Sequence, residues 1–323
     1  MVLATDQVVD VLRAAGEPTR MRILALLNRE ELAVLELCRV LDQSQPRVSR
    51  HLKLLVEAGL LERFPDGAWV FYRLVAAGPA RALTDDILRR IDPADPALHR
   101  DAERLEAVRA ERSAEAGAYF ARNAAAWDQI RSLYVSEADV EAAIVTAAGK
   151  GPFTRLVDLG TGSGRMLTLL GPRSEAAIGL DLSQQMLNIA RSRVADAGLP
   201  RCELRHGDIT GTRLPGGSAD LVVVHQVLHY LGDPAAAVAE AARLVAPGGR
   251  LLIVDFAPHK LEFLREQHQH RRLGFPESVM ERWLRDGGLS RVRAAALPPT
   301  KADGLTVKIW TAERGQTAQR SAA

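Results

Sequence analysis

The residues best placed to do chemistry are Leu156-Val157-Asp158-Leu159-Gly160-Thr161-Gly162-Ser163-Gly164. Arg155 to Leu159 reads as a buried strand, and Arg165 to Leu170 opens a helix. Between them, Gly160, Gly162 and Gly164 let the backbone turn sharply and let a ligand approach the main chain. The helix start beyond adds free N–H groups and the positive end of a dipole. Such a turn cradles a small, nucleotide-like molecule. Asp181 follows at the distance, roughly 20 residues on, where an acidic side chain takes ribose hydroxyls in dinucleotide folds. The spacing is G-x-G-x-G, not the G-x-G-x-x-G of pyrophosphate binders.

A second chemistry is written in Gln45, Arg47, Ser49, Arg50, His51 and Lys53. Arg47, Arg50 and Lys53 recur at i, i+3 and i+6, on one side of a helix from about Pro46 to Glu57. Val48, Leu52, Leu55 and Val56 supply its inward face. A charge run is ordinarily a solvated face, but no acidic residue interrupts Gln45 to Val56. A basic helix of this kind fits phosphates.

The elements that position these residues fall in two domains. A chain of 323 residues, 47% hydrophobic and 25% charged, has room for two ordinary cores. The net charge of +2 gives no global sign of nucleic-acid binding. Residues 1–75 hold ten basic and ten acidic side chains, so any such binding rests on local clustering. Cys38 and Cys202 are the only cysteines, which fits a reducing compartment. The N-terminus lacks a secretory signal, and no apolar run approaches the about 18 residues of a membrane span. The chain is expected in the cytoplasm, with no membrane partner.

Residues 1–77 are expected to form one domain. Leu12, Ile23, Leu24, Leu26 and Leu27 give apolar helical faces, and Pro18 marks a helix start. Leu32 to Leu41 reads as a short helix with Leu32, Leu35, Leu37, Val40 and Leu41 inward. Asp42 to Pro46 is a turn, with Ser44 or Gln45 capping the basic helix. Short helix, turn and basic helix make a helix-turn-helix. Arg63 to Arg73 then alternates about Asp66-Gly67, a hairpin dipeptide, which adds a wing.

Residues 78–150 read as a helical connector: Gly78 to Ile91, a break at Asp92-Pro93-Ala94-Asp95-Pro96, and a charged helix from Ala97 to about Ala118. Tyr119, Phe120, Trp127 and Ile130 restore apolar character. Residues 151–314 alternate strands and helices, the pattern of a parallel α/β sheet. Strands are expected at 155–159, 177–180, 202–206, 221–224 and 249–254, with a final helix from Trp283 and closing strands at 291–296 and 305–312. Asp158, Asp181, Asp208, His225 and Asp255 fall at or near strand ends, where such sheets bind ligands. His229-Tyr230 offers a base or a hydrogen bond, so His229 is the candidate catalytic side chain. His268 and His270, at i and i+2 of an expected helix, do not share a face. No metal site is expected, and residues 315–323 are expected to fray.

Two resemblances gather these readings. Pro18 to Leu24, Ser49 to Leu55, Gly59-Leu60-Leu61 and Gly67 to Leu74 resemble the ArsR/SmtB repressors. That resemblance implies an α+β winged helix-turn-helix and a homodimer on a double-stranded DNA operator. Many members carry Cys-x-Cys where this chain has Ala33 and Leu35, which bind no soft metal; metal sensing there is not expected. Val157 to Gly164, Gly179 to Ser183, Gly207-Asp208-Ile209, Asp220 to Leu231 and Ala246 to Arg250 resemble the class I S-adenosylmethionine (SAM) methyltransferases, of Rossmann-like α/β fold. That resemblance implies that Asp158 and the three glycines surround the methionine part and that Asp181 holds the ribose. It also implies that Met186 packs on adenine, Asp208 and Ile209 read its edge, and His225 lines the sulfonium side. With one cysteine in this domain, arsenite methylation is not expected.

Together the halves resemble ArsR-type regulators fused to a methyltransferase-like domain, some of which sense SAM or S-adenosylhomocysteine (SAH). The expected function is a dimeric DNA-binding regulator whose second domain binds SAM or SAH as effector. The alternative is an active methyltransferase on a small molecule with a self-regulating DNA-binding domain.

Overall fold

The computed structural model describes residues 3–66, 69–75, 77–123, 137–299 and 304–316, with backbone alone for 112, 113 and 115–123. Expectations resting on Gly67, on the Tyr119 and Phe120 side chains, on Trp127 and Ile130, and on the tail beyond Gln316 lie outside the described residues. The chain divides into two compact units, Met1–Glu115 and Ala116–Ala323.

The first unit opens with α1 (Thr5–Ala15) and α2 (Pro18–Leu27). Glu17 caps α2 by accepting the Arg20 N–H at 2.9 Å, and Pro18 loses no helical hydrogen bond at this position. The expected helix from Leu32 is shorter than its apolar run. Leu32 and Ala33 form a strand, β1, paired antiparallel with Tyr72 and Phe71. Helix α3 therefore runs Val34–Leu41 and buries Leu37, Val40 and Leu41, at i, i+3 and i+4. That phase turns Leu35 outward, 58% exposed, against the expectation that it faced the core. Leu12 is likewise exposed, because α1 buries Val11, Ala14 and Ala15.

After a left-handed Asp42, α4 (Gln45–Glu57) follows. It buries Val48, Leu52 and Leu55 completely, while Val56 is half-buried. Ser44 is the N-cap residue, but its side chain makes no capping bond. Strands β2 (Leu61–Asp66) and β3 (Trp69–Leu74) form the wing, in the order β1-β3-β2. Helices α5 (Pro79–Leu88) and α6 (Pro96–Asn123) complete the set. Leu105 and Val108 of α6 join the same core as Ile23, Leu37 and Leu52. Asp101 of α6 is buried against Arg22, with oxygen–nitrogen distances of 2.5 and 2.6 Å. The unit boundary thus falls inside α6, whose first turns belong to the helix-turn-helix core.

The second unit is a seven-stranded sheet. Its elements are α7 (Glu137–Ala148), β4 (Phe153–Leu159), α8 (Arg165–Leu170), β5 (Ser174–Asp181), α9 (Gln184–Asp196), β6 (Cys202–His206), β7 (Ala219–His225), α10 (Pro234–Leu244), β8 (Val245–Phe256), α11 (Phe263–His268), α12 (Glu277–Asp286), β9 (Ser290–Leu297) and β10 (Val307–Glu313). The strand order is β6-β5-β4-β7-β8-β10-β9. The first five strands are parallel, and β10 closes antiparallel against β8 and β9. Val157, Leu159, Val222, Val224, Leu251 and Ile253 lie in one core layer, and Leu156, Leu221, Val223, Leu252 and Val254 in the other. Burial on both faces explains the unbroken apolar runs. The winding reverses between β4 and β7, which opens a crevice beyond their carboxyl ends.

Two sequence expectations are corrected here. Helix α12 begins at Glu277, set by Pro276 at its N-cap, and Trp283 sits well inside it with its ring edge-on to Phe275. His268 ends α11, Gln269 turns left-handed, and His270 leaves the helix to be buried. No helix among the described residues is long and apolar enough to cross a membrane.

Candidate functional site

In the second unit the glycine turn follows β4 at the switch point. Gly160, Gly162 and Gly164 have φ of 74°, 52° and 82°, a region that costs other residues energy. A Cβ at Gly160 would stand 2.6 Å from Val227 Cγ2, so the turn and the loop after β7 pack directly on each other. At Gly164 a Cβ would meet Ala190 of α9 at 3.0 Å. The Gly160 and Thr161 N–H groups donate to Leu180 O at 2.9 and 2.8 Å. Asp158 is buried, and its Oδ2 accepts the Thr161 hydroxyl at 2.6 Å. It braces the turn from within.

Asp181 ends β5 half-buried. Its Oδ2 accepts the Gly162 N–H and its Oδ1 the Ser183 N–H, both at 2.8 Å. Burial raises its pKa above the ordinary carboxylate value, against the pull of these donors. One carboxylate thus ties the glycine turn to the start of α9. Met186 of α9 and Ile209 after β6 are buried, while Leu182 is 48% exposed. Asp208 is exposed, and its Oδ1 accepts both the N–H and the hydroxyl of Thr210 at 2.8 Å. His225 is half-buried at the end of β7. All nine sequence-predicted residues of this set therefore lie in the glycine turn, at the carboxyl ends of β4, β5 and β7, after β6 or in the first turn of α9.

His229 follows in a short 3-10 turn, Leu228–Tyr230. It is 2% exposed, and its Nδ1 lies 2.8 Å from Asp255 Oδ1 at the end of β8. Asp255 also accepts its neighbour's Phe256 N–H at 2.8 Å. The rings of His229 and His270 are 4.1 Å apart, with Tyr230 and Phe256 alongside. Residues 257–275 fold back over this group. His259 N–H donates to Leu273 O, Phe275 N–H to Phe256 O, and the Arg271 and Arg272 N–H groups to His229 O. Sequence reading placed Asp255 at a strand end but missed its partnership with His229, and it put His270 on a helix with His268 rather than against the His229 ring. Pairing between residues 26 apart leaves no periodic trace.

Burial lowers the pKa of His259 to about 4 and that of His270 well below the imidazole range. Unfolded histidines titrate near about 6.5. The unfolded chain therefore binds more protons as pH falls. Stability from keeping these rings neutral is complete above pH about 6.5 and is lost as pH falls toward about 4. Thermal melts of the second unit should show this acid-side decline, and His270→Phe should make it shallower. An unchanged slope would contradict the assignment. Burial, with the Asp158 charge beside it, raises the Cys202 thiol to about 11.

In the first unit α4 presents Gln45, Arg47, Arg50 and Lys53 to solvent, with Ser49 half-buried beside them. Lys53 also reaches Glu57 at 3.7 Å. His51 is set apart from these: its side chain is 14% exposed, and Nδ1 lies 3.4 Å from Glu17. On the wing, Arg73 is held by Glu31 and Glu62 at 3.0 and 2.7 Å and lies over Phe64, so it is structural. Arg63 is exposed, and Trp69 stands 37% exposed at the wing's end, stacked on Phe71. Sequence reading did not single out these two, although the β2–β3 alternation is the signal that exposes Arg63.

The two halves also match known proteins separately. The family described as "Bacterial regulatory protein, arsR family" matches residues 17–63, and the family described as "Methyltransferase domain" matches residues 157–253. The arsenical resistance operon repressor of Escherichia coli is 47% identical over 75 residues, covering 23% of this chain and 64% of that protein. Demethylmenaquinone methyltransferase of Thermus thermophilus is 31% identical over 144 residues, covering 43% of this chain and 64% of that protein. The chain spans less than two thirds of the length of either relative. A chain of the Haloferax volcanii complex between the Trm112 methyltransferase activator and a methyltransferase superposes with a TM-score of 0.52 at 19% identity, over 61% of this chain and 98% of that one. That likeness shows the Rossmann-like fold of the second unit. The chain joins a regulatory domain of the arsR family to a domain of the methyltransferase family.

Proposed function

We propose that the protein is a dimeric, operator-binding transcriptional regulator whose methyltransferase domain binds SAM or SAH as effector. The observation that carries this is the presence, in one chain, of an exposed basic helix, α4, and of a glycine turn at the switch point of a parallel sheet. The donor set fits an adenosyl ligand. Asp181 and Asp208 offer carboxylates to hydroxyl and amine hydrogens, Met186 and Ile209 give the site an apolar wall, and the three glycines keep side-chain bulk out of the turn. When bound, SAM supplies a cationic sulfonium and SAH a neutral thioether. Asp181 orients the ribose while it holds Gly162 and Ser183 in place. Asp158 keeps the turn closed, and His225 lines the sulfonium side. On the DNA side, Arg47, Arg50 and Lys53 take phosphates and base edges, with Gln45 and Ser49 between them. The two α4 helices of a dimer enter successive major grooves. A ligand shifts DNA affinity only by its own differential affinity for the two states of the regulator.

The two functions separate by mutation. Arg50→Ala should weaken binding to DNA from the promoter of its own gene by about 1–3 kcal/mol and leave SAH affinity unchanged. Asp181→Ala should weaken SAM and SAH by about 2 kcal/mol, the worth of charge-assisted bonds, without abolishing DNA binding. Gel shifts and calorimetry on both variants test the division. Loss of ligand affinity in the Arg50 variant would contradict it. The second reading, an active methyltransferase with a self-regulating DNA-binding domain, is favoured by one observation, the buried His229–Asp255 pair.

A further inference from the structure

We propose that His229 is a general base for a methyl acceptor bearing an ionisable O–H or N–H, and that Asp255 is its positioning residue. The inference rests on the SAM-binding reading given above and goes beyond a purely sensory domain.

Asp255 is fully buried, and its Oδ1 accepts the Phe256 N–H and lies 2.8 Å from His229 Nδ1. A carboxylate only accepts, so the proton between them belongs to His229 Nδ1. The other ring nitrogen, Nε2, then carries the lone pair. A buried histidine–aspartate pair is also a common way to stiffen a core. Two observations separate this pair from that role. First, it sits at the carboxyl ends of β7 and β8, and Val227, two residues before His229, packs on Gly160 of the nucleotide cradle. Second, the surrounding polar atoms are not saturated as a core network would be. Asp255 Oδ2 and His270 Nδ1 are buried and have no hydrogen-bond partner among the described residues. Polar groups gathered at a strand end beside a nucleotide cradle suit a small polar acceptor.

The step balances as follows. The acceptor's oxygen or nitrogen forms a bond to the sulfonium methyl carbon. The carbon–sulfur bond breaks, and its electron pair stays on sulfur, leaving a neutral thioether. The acceptor's proton passes to His229 Nε2. The Asp255 carboxylate stabilises the imidazolium until the proton leaves to solvent.

The test needs one readout that does not depend on turnover. Long-range nitrogen–proton NMR on the ligand-free full chain should show His229 as the Nδ1–H tautomer, and Asp255→Asn should switch it to Nε2–H. Methyl transfer from SAM is then measured with a panel of catechol, a monophenol and an aliphatic primary amine. Wild type should methylate at least one of them. Asp255→Asn, which keeps the side chain's shape, should lower the rate by about 10³–10⁴-fold, as wrong-tautomer changes do. Its SAM affinity by calorimetry should stay within about threefold of wild type. Asp255→Glu should recover part of the rate, which loss of packing alone would not predict. An Nε2–H tautomer in wild type, undiminished transfer in Asp255→Asn, or bound SAM with no transfer to any member of the panel would overturn the proposal. Failure of SAM to bind would strike the ligand reading instead, and the tautomer would still decide the dyad.

Discussion

Gly274→Ala is expected to destabilise the second unit by about 3 kcal/mol or more, lowering its melting temperature by roughly 6–12 °C. Gly274 has a φ of 90°, and a Cβ there would stand 2.1 Å from Ala257 O and 2.5 Å from Ala257 C. Both atoms are backbone, so no side-chain rotation relieves the clash. The neighbours are pinned on both sides, Leu273 O by the His259 N–H and the Phe275 N–H by Phe256 O, each at 2.9 Å. The strap over His229 and Asp255 must therefore shift as a whole. Gly198→Ala is the control. Its φ is 66°, but nothing lies within 4 Å of its Cβ, so it should pay only the left-handed backbone cost of about 1 kcal/mol. Calorimetric melts of both variants check the contrast. Equal losses would show that close approach at Gly274 is not what holds the strap.

Arg22→Met should cost the first unit about 3–5 kcal/mol, because it leaves the Asp101 carboxylate buried without its cation. The Asp101 side chain is 2% exposed, against 22% for Arg22. Arg22 also donates to Leu41 O at the end of α3, so one guanidinium joins α2, α3 and α6. Arg109 on Glu30 and Arg104 on Val40 O fasten the same helix further along. The double variant Arg22→Met, Asp101→Leu should regain most of the loss, since an apolar pair of similar volume replaces a buried ion pair at little cost. Calorimetry of the first unit's transition reads both effects. A single variant as stable as wild type would mean that α6 is held by its apolar residues alone.

The fold was largely legible in the sequence because each half carries a strong local period. The strands 202–206 and 221–224 and the basic helix from Pro46 stand where their apolar spacing puts them, within a few residues of the observed ends. Acidic residues at strand ends marked the candidate site because strand order and the side where ligands bind are coupled in parallel sheets. What was not legible depends on distant partners. Leu32 and Ala33 look helical until β3, about forty residues on, claims them as a strand, and the exposure of Leu35 follows from that one shift. The inward turn of His51 depends on Glu17, and the link between His229 and Asp255 on two different strand ends. Trp283 attracted the start of α12 because it is large and apolar, while the actual start was set by Pro276.

The central claim is that ligand and operator are linked through one chain. The most direct test is calorimetric titration of SAM and of SAH into the full chain, with and without promoter DNA from its own gene. Coupling of this kind is typically 5–150-fold and must be reciprocal. At least one ligand should bind with an affinity that changes by about that factor when DNA is present, and that ligand should change DNA affinity by the same factor. Binding of both ligands with affinities indifferent to DNA, or of neither, would contradict the account.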